Sequence, residues 1–391
     1  MRDKRGMSLA VSLMSVSASV SLLAACGTHH HAAAGPSQSQ VAVSPAVTPT
    51  PSPSKKPKPK AKPFRQGNPN GHAPVPVAAR AVDTSHPTRI IGKGTPGSCT
   101  SSAVVSAVAA GGVIRFSCGA KPVTIRMRST AKIRNAHPRT VLDGGGKVTL
   151  SGGGRHRILY MNTCDAALGW TTSHCQDQST PQLTVQNLTF ADGNSTGEKA
   201  EGGGGGAIFV RGGRFKAVNS RFVRNRCDRS GPDLGGAAIR VLSQSKNLPV
   251  YVVNSTFGGA PGQGGSCSNG GALSSIGVSW VVLNSVMSYN SAVGSGANPA
   301  RGGTPGGGSG GAIYNDGNHF TLRIAGTIIT NNHAREGGGA VFFVSNDRTG
   351  TMRIESSSLR HNPSAKFETH GYPGIFFLGA RKPSVSGSHL G

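Results

Sequence analysis

Between Gln182 and Asn362 two short patterns alternate, and they restrict the fold more than anything else in the chain. One is Gly-Gly-Ala followed by an aliphatic residue: Gly205-Gly206-Ala207-Ile208, Gly270-Gly271-Ala272-Leu273, Gly310-Gly311-Ala312-Ile313 and Gly338-Gly339-Ala340-Val341, with the variant Gly236-Ala237-Ala238-Ile239. The other is Asn-Ser, then a large apolar residue, then Asn three further on. It reads Asn219-Ser220-x-Phe222-x-x-Asn225 and recurs around Asn254 and Phe257, and around Asn284, Met287 and Asn290. Looser copies centre on Phe190, on Ile329 with Asn332, and on Leu359 with Asn362. A period of about 30 residues marks a solenoid, in which each repeat buries its apolar face only by stacking on the next. Strands alternate inside and outside, so equivalent residues fall into columns. Ile208, Ile239, Leu273, Ile313 and Val341 predict one internal column. Phe190, Phe222, Phe257, Met287, Ile329 and Leu359 predict another. Asn187, Asn219, Asn254 and Asn284 share one register near a strand end, where stacked asparagines can bond one another and the turn backbone.

The alternation of Gly-Gly-Ala-Ile with Phe-x-x-Asn resembles the repeats of the polymorphic outer membrane proteins of chlamydiae. More broadly it is similar to right-handed β-helix proteins of the pectate-lyase-like fold. The likeness covers roughly residues 89–380. It implies an all-β chain folded as a right-handed single-stranded parallel β-helix, and surface adhesion in the chlamydial case. No pattern of a C-terminal membrane barrel accompanies it, so the autotransporter mode does not carry over. The alanine- and valine-rich stretch Thr100–Ala110 predicts a short N-terminal helix that caps the first coil, which otherwise exposes strand edges.

The first residues read as an export signal. Arg2, Lys4 and Arg5 precede an apolar run that ends in Leu23-Ala24-Ala25-Cys26-Gly27, which resembles a bacterial lipobox. The resemblance implies lipidation of Cys26 and anchoring to the outer face of the cell membrane, on the cell-wall side. The expected organisation is a signal peptide over 1–26, a disordered Pro/Lys-rich linker over 27–88, the β-helix over 89–380 and a loose tail over 381–391. Six further cysteines in an exported chain predict disulfides. Local spacing suggests Cys99–Cys118, Cys164–Cys175 and Cys227–Cys267, among the 15 pairings that six cysteines allow.

The formal charge is +26, and residues 89–391 alone carry 31 basic against 13 acidic side chains. That balance favours an acidic polysaccharide, a cell-wall polymer or anionic lipid as partner. Export and sparse aromatics argue against nucleic acid. A monomer is expected. Polysaccharide lyases of this fold use calcium held by clustered acids, and inverting hydrolases need paired carboxylates. Here the acids are scattered, so no cofactor is expected, and calcium enters only under the lyase alternative. The best catalytic constellation is Asp316 and Asp347, after consecutive Gly-Gly-Ala strands, joined by Glu368 and His370. Asn-Asp-Gly is also ordinary turn chemistry. A binding platform is expected where Phe209, Arg240, Ser274, Tyr314 and Phe342 point away from the core, since rings with an arginine suit sugar stacking and carboxylate pairing. The leading expectation is therefore a non-enzymatic, lipid-anchored glycan binder. A lyase or hydrolase with an atypical site, and a structural adhesin, are the alternatives.

Overall fold

The structure is a computed structural model describing residues 65–198 and 203–391. Cys26, the export signal and the lysine run lie outside the described residues. The described chain is all-β, built from stacked parallel sheets of 17, 8 and 3 strands, with one α-helix. Successive repeats return to the same sheets, so each repeat adds one coil to the stack. The aliphatic residue after each Gly-Gly-Ala opens a strand of the eight-stranded sheet. Ile208 pairs with Ile239, Ile239 with Leu273, Leu273 with Ile313 and Ile313 with Val341, all fully buried. In the large sheet Phe190, Phe222, Phe257, Met287, Ile329 and Leu359 pair in the same unbroken way. Rings of Phe190, Phe222 and Phe257 stack at 5.1 and 4.6 Å.

The Asn-Ser pair divides its labour. Asn187, Asn219, Asn254 and Asn284 adopt φ of 47–53°, the left-handed region that asparagine tolerates better than most residues. The following hydroxyls form a ladder. Ser220 N donates to Ser255 Oγ, Ser255 N to Ser285 Oγ and Ser285 N to Thr327 Oγ1, at 3.1–3.2 Å. Among the described residues the stacked-amide expectation is met between Asn219 and Asn187, at 2.6 Å. The continuous amide ladder lies instead at Asn290, Asn332 and Asn362, whose side chains are joined at 2.9 Å.

Helix α1, Ser101–Ala110, is capped by Thr100, whose Oγ1 accepts Ala103 N at 3.2 Å, and ends at Gly111 with φ 64°. Its Val104 and Val108, one turn apart, are fully buried in the main core beside Ile114 and Ile125. The three disulfides are Cys99–Cys118, Cys164–Cys175 and Cys227–Cys267, with Cα separations of 5.7, 5.0 and 4.8 Å.

Two boundaries need correction. The expected tail over 381–391 carries a further coil. Ser384–Ser386 pairs with Thr351–Glu355, and Leu390 stacks on Leu359. Gly387, with φ 54°, stands at the corner where earlier repeats have Asn, and Ser388 Oγ extends the hydroxyl ladder to Ser357 N at 3.0 Å. The expected linker ends earlier than residue 88, because residues 65–88 form a strap against the outer face of the large sheet. Gln66 N donates to Asn219 Oδ1, Gly67 N to Thr256 Oγ1 and Ala73 N to Asn284 Oδ1, all at 2.8–2.9 Å. The strap then doubles back. Val82 exchanges two bonds with the Gln186 side chain, and Thr84 Oγ1 donates to Asp143 Oδ2 at 2.6 Å. Ala73 and Val75 join Ala79, Val218, Val253, Leu283 and Ala325 in a small apolar cluster. Burial raises the Asp143 pKa, but bonds from Thr84, Asn187, Gln186 and the Gly145 amide outweigh it and hold the carboxyl below the usual range. Its contribution to stability is therefore complete above the ordinary carboxylate range and is lost only as pH falls through that lowered value.

Close backbone approach explains two of the strap's glycines. A Cβ on Gly67, which has φ +82°, would sit 2.3 Å from Asn284 O, and one on Gly71 would sit 2.6 Å from Gly326 O. Gly67→Ala is expected to weaken strap docking by at least about 1–2 kcal/mol, from the left-handed backbone alone. Amide exchange would read this as faster opening of residues 66–73, with the Phe222 coil unchanged. Parent-like protection there would remove the steric argument.

Candidate functional site

The structure keeps the column Phe209, Arg240, Ser274, Tyr314 and Phe342 in register but covers it. Phe209 and Tyr314 are 0% exposed, Arg240 1% and Phe342 3%, so the expected platform is not a surface. The cause is local. Loops leaving the coils fold back over the sheet, and their groups bond the column. Arg240 donates through Nη2 to Asp233 O and through Nη1 to Ser274 Oγ at 3.0 Å. Asn298 Nδ2 lies 2.8 Å from Tyr314 Oη. Rings of Tyr314, Phe342 and Phe376 stack at 4.9 and 5.2 Å beneath this cover. Burial pushes the Arg240 guanidinium down to about 10.

The four expected catalytic residues do not converge. Asp347 is exposed and spends its carboxylate on its own turn, accepting from Ser345 Oγ, Thr349 N and Thr349 Oγ1. Glu368 accepts from Gly374 N at 2.8 Å, closing a separate loop, and His370 is exposed on that loop. Asp316 has a different neighbour. Asn298 Nδ2 lies 2.8 Å from Asp316 Oδ2 and 2.9 Å from Asp233 Oδ1, so one amide links two carboxylates separated by 83 residues. The pair lines a cavity of about 300 Å³ with Pro299, Val344 and Asn346. Burial pushes the Asp316 carboxyl up, against bonds from Tyr314, Gly317 and Asn346 that favour its ionised form. Nothing local in the sequence signals the approach of Asp233 to Asp316. Among the described residues no group of three or more His, Cys, Asp or Glu side chains is placed to hold a metal ion.

A second site lies on the outer face of the large sheet. The strand Arg214–Val218 turns Phe215 and Ala217 into the core and Arg214 and Lys216 outward. With Lys246 and Tyr251 from the following coil they line a cavity of about 470 Å³, together with Gln182, Leu183, Thr184 and the strap's Ala78. Among the described residues no carboxylate lines it. Arg214 Nη2 donates to Pro249 O at 3.1 Å, while Nη1 is buried without an acceptor. Lys216 Nζ donates to Ala78 O at 3.1 Å and Arg80 O at 2.6 Å, so the strap orients it. Burial lowers the pKa of both Arg214 and Lys216, with the Tyr251 phenol partly opposing this at Arg214. Lys246 is held from below, where its backbone N–H donates to Asp177 Oδ1 and Ser245 Oγ donates to Asp177 O at 3.2 Å. The alternation in Arg214-Phe215-Lys216-Ala217 was the available sequence signal for this site, but the strap and Lys246 come from distant segments.

Comparison with known proteins returns no matching family model, no matching curated protein and no matching solved structure.

Proposed function

We propose that this chain is an exported lipoprotein, anchored through Cys26, whose right-handed single-stranded parallel β-helix binds an acidic glycan or other anionic envelope polymer without cleaving it. The observation that carries this reading is the pocket of Arg214, Lys216, Lys246 and Tyr251. It gathers three cations around a ring, and no Asp or Glu is among its described lining residues. An incoming carboxylate can take charge-assisted bonds from the cationic side chains that line the cavity. The ring offers a face to a sugar. The covered column of Phe209, Arg240, Ser274, Tyr314 and Phe342 is unavailable for this role, and the cation pocket takes its place. The overall +26 charge draws polyanions toward the surface.

Titration calorimetry of the full chain with a short uronic acid oligomer tests the reading. Arg214→Ala is expected to weaken binding about tenfold or more, as loss of a hydrogen bond to a charged group does. Equal affinity of variant and parent would sink the proposal.

The Asp233–Asp316 pair favours glycoside hydrolysis as a second reading. Their bridged oxygens lie no further apart than two hydrogen-bond lengths, a limit that admits the spacing of about 5–5.5 Å that retaining enzymes use. Against it, Asn298 and Tyr314 already engage the Asp316 carboxylate. Product analysis decides between them: new reducing ends that vanish in Asp316→Asn would replace the binding proposal by the hydrolytic one.

A further inference from the structure

Charge is not spread evenly along the stack. Residues 89–160, which supply the first coils, carry twelve basic side chains and one acid, Asp143, whereas residues 316–391 at the other end carry eight and five. Asp143 is buried and engaged by Thr84, Gln186 and Asn187, so these first coils present no carboxylate of their own to solvent. The strap's Asp83 spends its carboxylate on Ser85 N and Oγ. Lys93, Arg115, Lys121, Arg126 and Arg128 are all exposed, and none forms a salt bridge with a described residue.

These cations surround the end of the stack. Arg89–Ile91, Val123–Arg126 and Ala131–Lys132 are its terminal strands, each paired on one side. Arg115 and Arg126 belong to the large sheet, the exposed Lys132 to the eight-stranded sheet, and Lys93 and Lys121 to loops between strands. Helix α1 packs on strands of both sheets and carries no charged residue, with Ser102 and Ser106 turned to solvent. It is held from both ends, by Arg128 N donating to Ser101 Oγ and Arg89 Nε donating to Gly111 O, each at 2.9 Å. Ile90 is 62% exposed on the terminal strand. Arg126 and Arg128 line a cavity of about 540 Å³ with Ser101, Ser102 and Ser129, which has room for a phosphodiester. A site for one polymer chain gathers its cations in a cleft. Cations that ring an uncharged centre instead match a flat anionic surface.

We infer that the N-terminal end of the stack docks on an anionic lipid surface, with lipid phosphodiesters entering the cavity of Arg126 and Arg128, so that the coils stand upright on the membrane. This rests on the proposed anchoring through Cys26 for its location and goes beyond it. Arg65 stands 39 positions after Cys26, and a chain of that length spans at most about 130 Å. The anchor alone therefore leaves the orientation of the stack open, and a basic patch is the second attachment that turns weak lipid anchoring into stable anchoring. The cation pocket stays clear of the membrane, because the strand of Arg214 lies three strands along the stack from that of Arg115, roughly 14 Å.

Amide exchange of the full chain on vesicles tests this, with mixed phosphatidylglycerol and phosphatidylcholine in one arm and phosphatidylcholine alone in the other. On the anionic vesicles, exchange is expected to slow in helix α1 and in residues 92–98 and 117–122, and to stay unchanged in residues 375–391. The slowing should be absent on phosphatidylcholine and vanish near 1 M salt, where screening acts within about 3 Å. Each cation at an anionic leaflet is worth about fivefold in partitioning, so the triple variant Arg126→Gln, Arg128→Gln, Lys132→Gln should bind about a hundredfold more weakly and lose the slowing. The charge-preserving variant Arg126→Lys, Arg128→Lys, Lys132→Arg should keep both, which separates loss of charge from loss of fold. Changing the five lysines of residues 55–62 to glutamine should lower total partitioning and keep the slowing at the end. Slowing that follows those lysines, appears equally at both ends of the stack, or survives the triple glutamine variant overturns the docking. Slowing by soluble polyglycerol phosphate but not by vesicles assigns the end to a wall polymer and overturns the lipid surface. The anchor is read separately, by lipid labelling of the parent and of Cys26→Ser. A labelled parent whose end is not slowed overturns the docking and leaves the anchor standing, while slowing in a chain that is never labelled overturns the anchor and leaves the docking standing.

Discussion

Replacing Phe222 by alanine is expected to lower the unfolding free energy by about 3–5 kcal/mol, the range for truncating a fully buried aromatic side chain. Phe222 is 1% exposed and sits between Phe190 and Phe257, with its ring 5.1 Å from one and 4.6 Å from the other. A cavity there opens in the middle of a file, so both neighbouring coils lose contacts. A coil in a repeat stack is held chiefly by its neighbours, so loosening one pair of interfaces weakens the array beyond the mutated turn. Guanidinium unfolding followed by circular dichroism measures the loss. Val77→Ala, at a side chain 76% exposed, is the matched control and should stay within about 0.5 kcal/mol of the parent. If the two variants unfold alike, Phe222 is not packed in a continuous file and the stacking of the repeats is wrong.

Removing the Cys227–Cys267 bridge, with both residues changed to alanine, is expected to cost about 4 kcal/mol. The bridge closes 40 residues, and loops of about 15 and 100 residues are worth about 3 and 4.7 kcal/mol. Its loss should also be felt locally. Beside the bridge, Ser268 N donates to Asp228 O, Ser268 Oγ to Gly231 O and Asn269 Nδ2 to Pro232 O, each at 2.7 Å. These bonds hold the loop that carries Asp233 over Arg240. Amide exchange across residues 228–241 is therefore expected to quicken in the variant, while the strand Arg214–Val218 and the cation pocket keep their protection. A variant as stable as the parent, with that loop equally protected, would show that the bridge follows the loop's position rather than securing it.

Glu336 and Asp143 behave alike for one reason. Glu336 is 0% exposed, with Arg301 at 2.9 Å from each oxygen and Lys366 at 3.0 Å. Burial raises its pKa, but the Gly296 amide, Lys366 and Arg301 hold the carboxyl below the usual range. Asp143 fastens the strap in the same manner. In both places a carboxylate collects donors from segments remote in sequence and fixes a loop against the stack. Such acids look like ordinary surface charge when only their immediate neighbours in the chain are considered.

The amino-acid order by itself marked what repeats, namely the columns of Ile208 and Phe222, the glycine and asparagine corners and the stacked parallel strands; it also signalled helix α1, and it suggested the disulfide partners without fixing them among the 15 pairings that six cysteines allow. A repeat is legible because each coil must offer the same residue to the next, so the packing constraint is written into the spacing. The parts that occur once carry no such redundancy. The strap over 65–88 reads as linker, since its docking depends on backbone amides and on Gly67 and Gly71 fitting a surface made by Asn254, Asn284 and Gly326. Whether Tyr314 and Phe342 face solvent depended on where Asn298 and Phe367 fold back, and the meeting of Asp233 with Asp316 depended on the loop that carries Asn298. Only the tertiary structure decided these, because alternation along a strand says which side chains leave the core but not what chain returns to cover them.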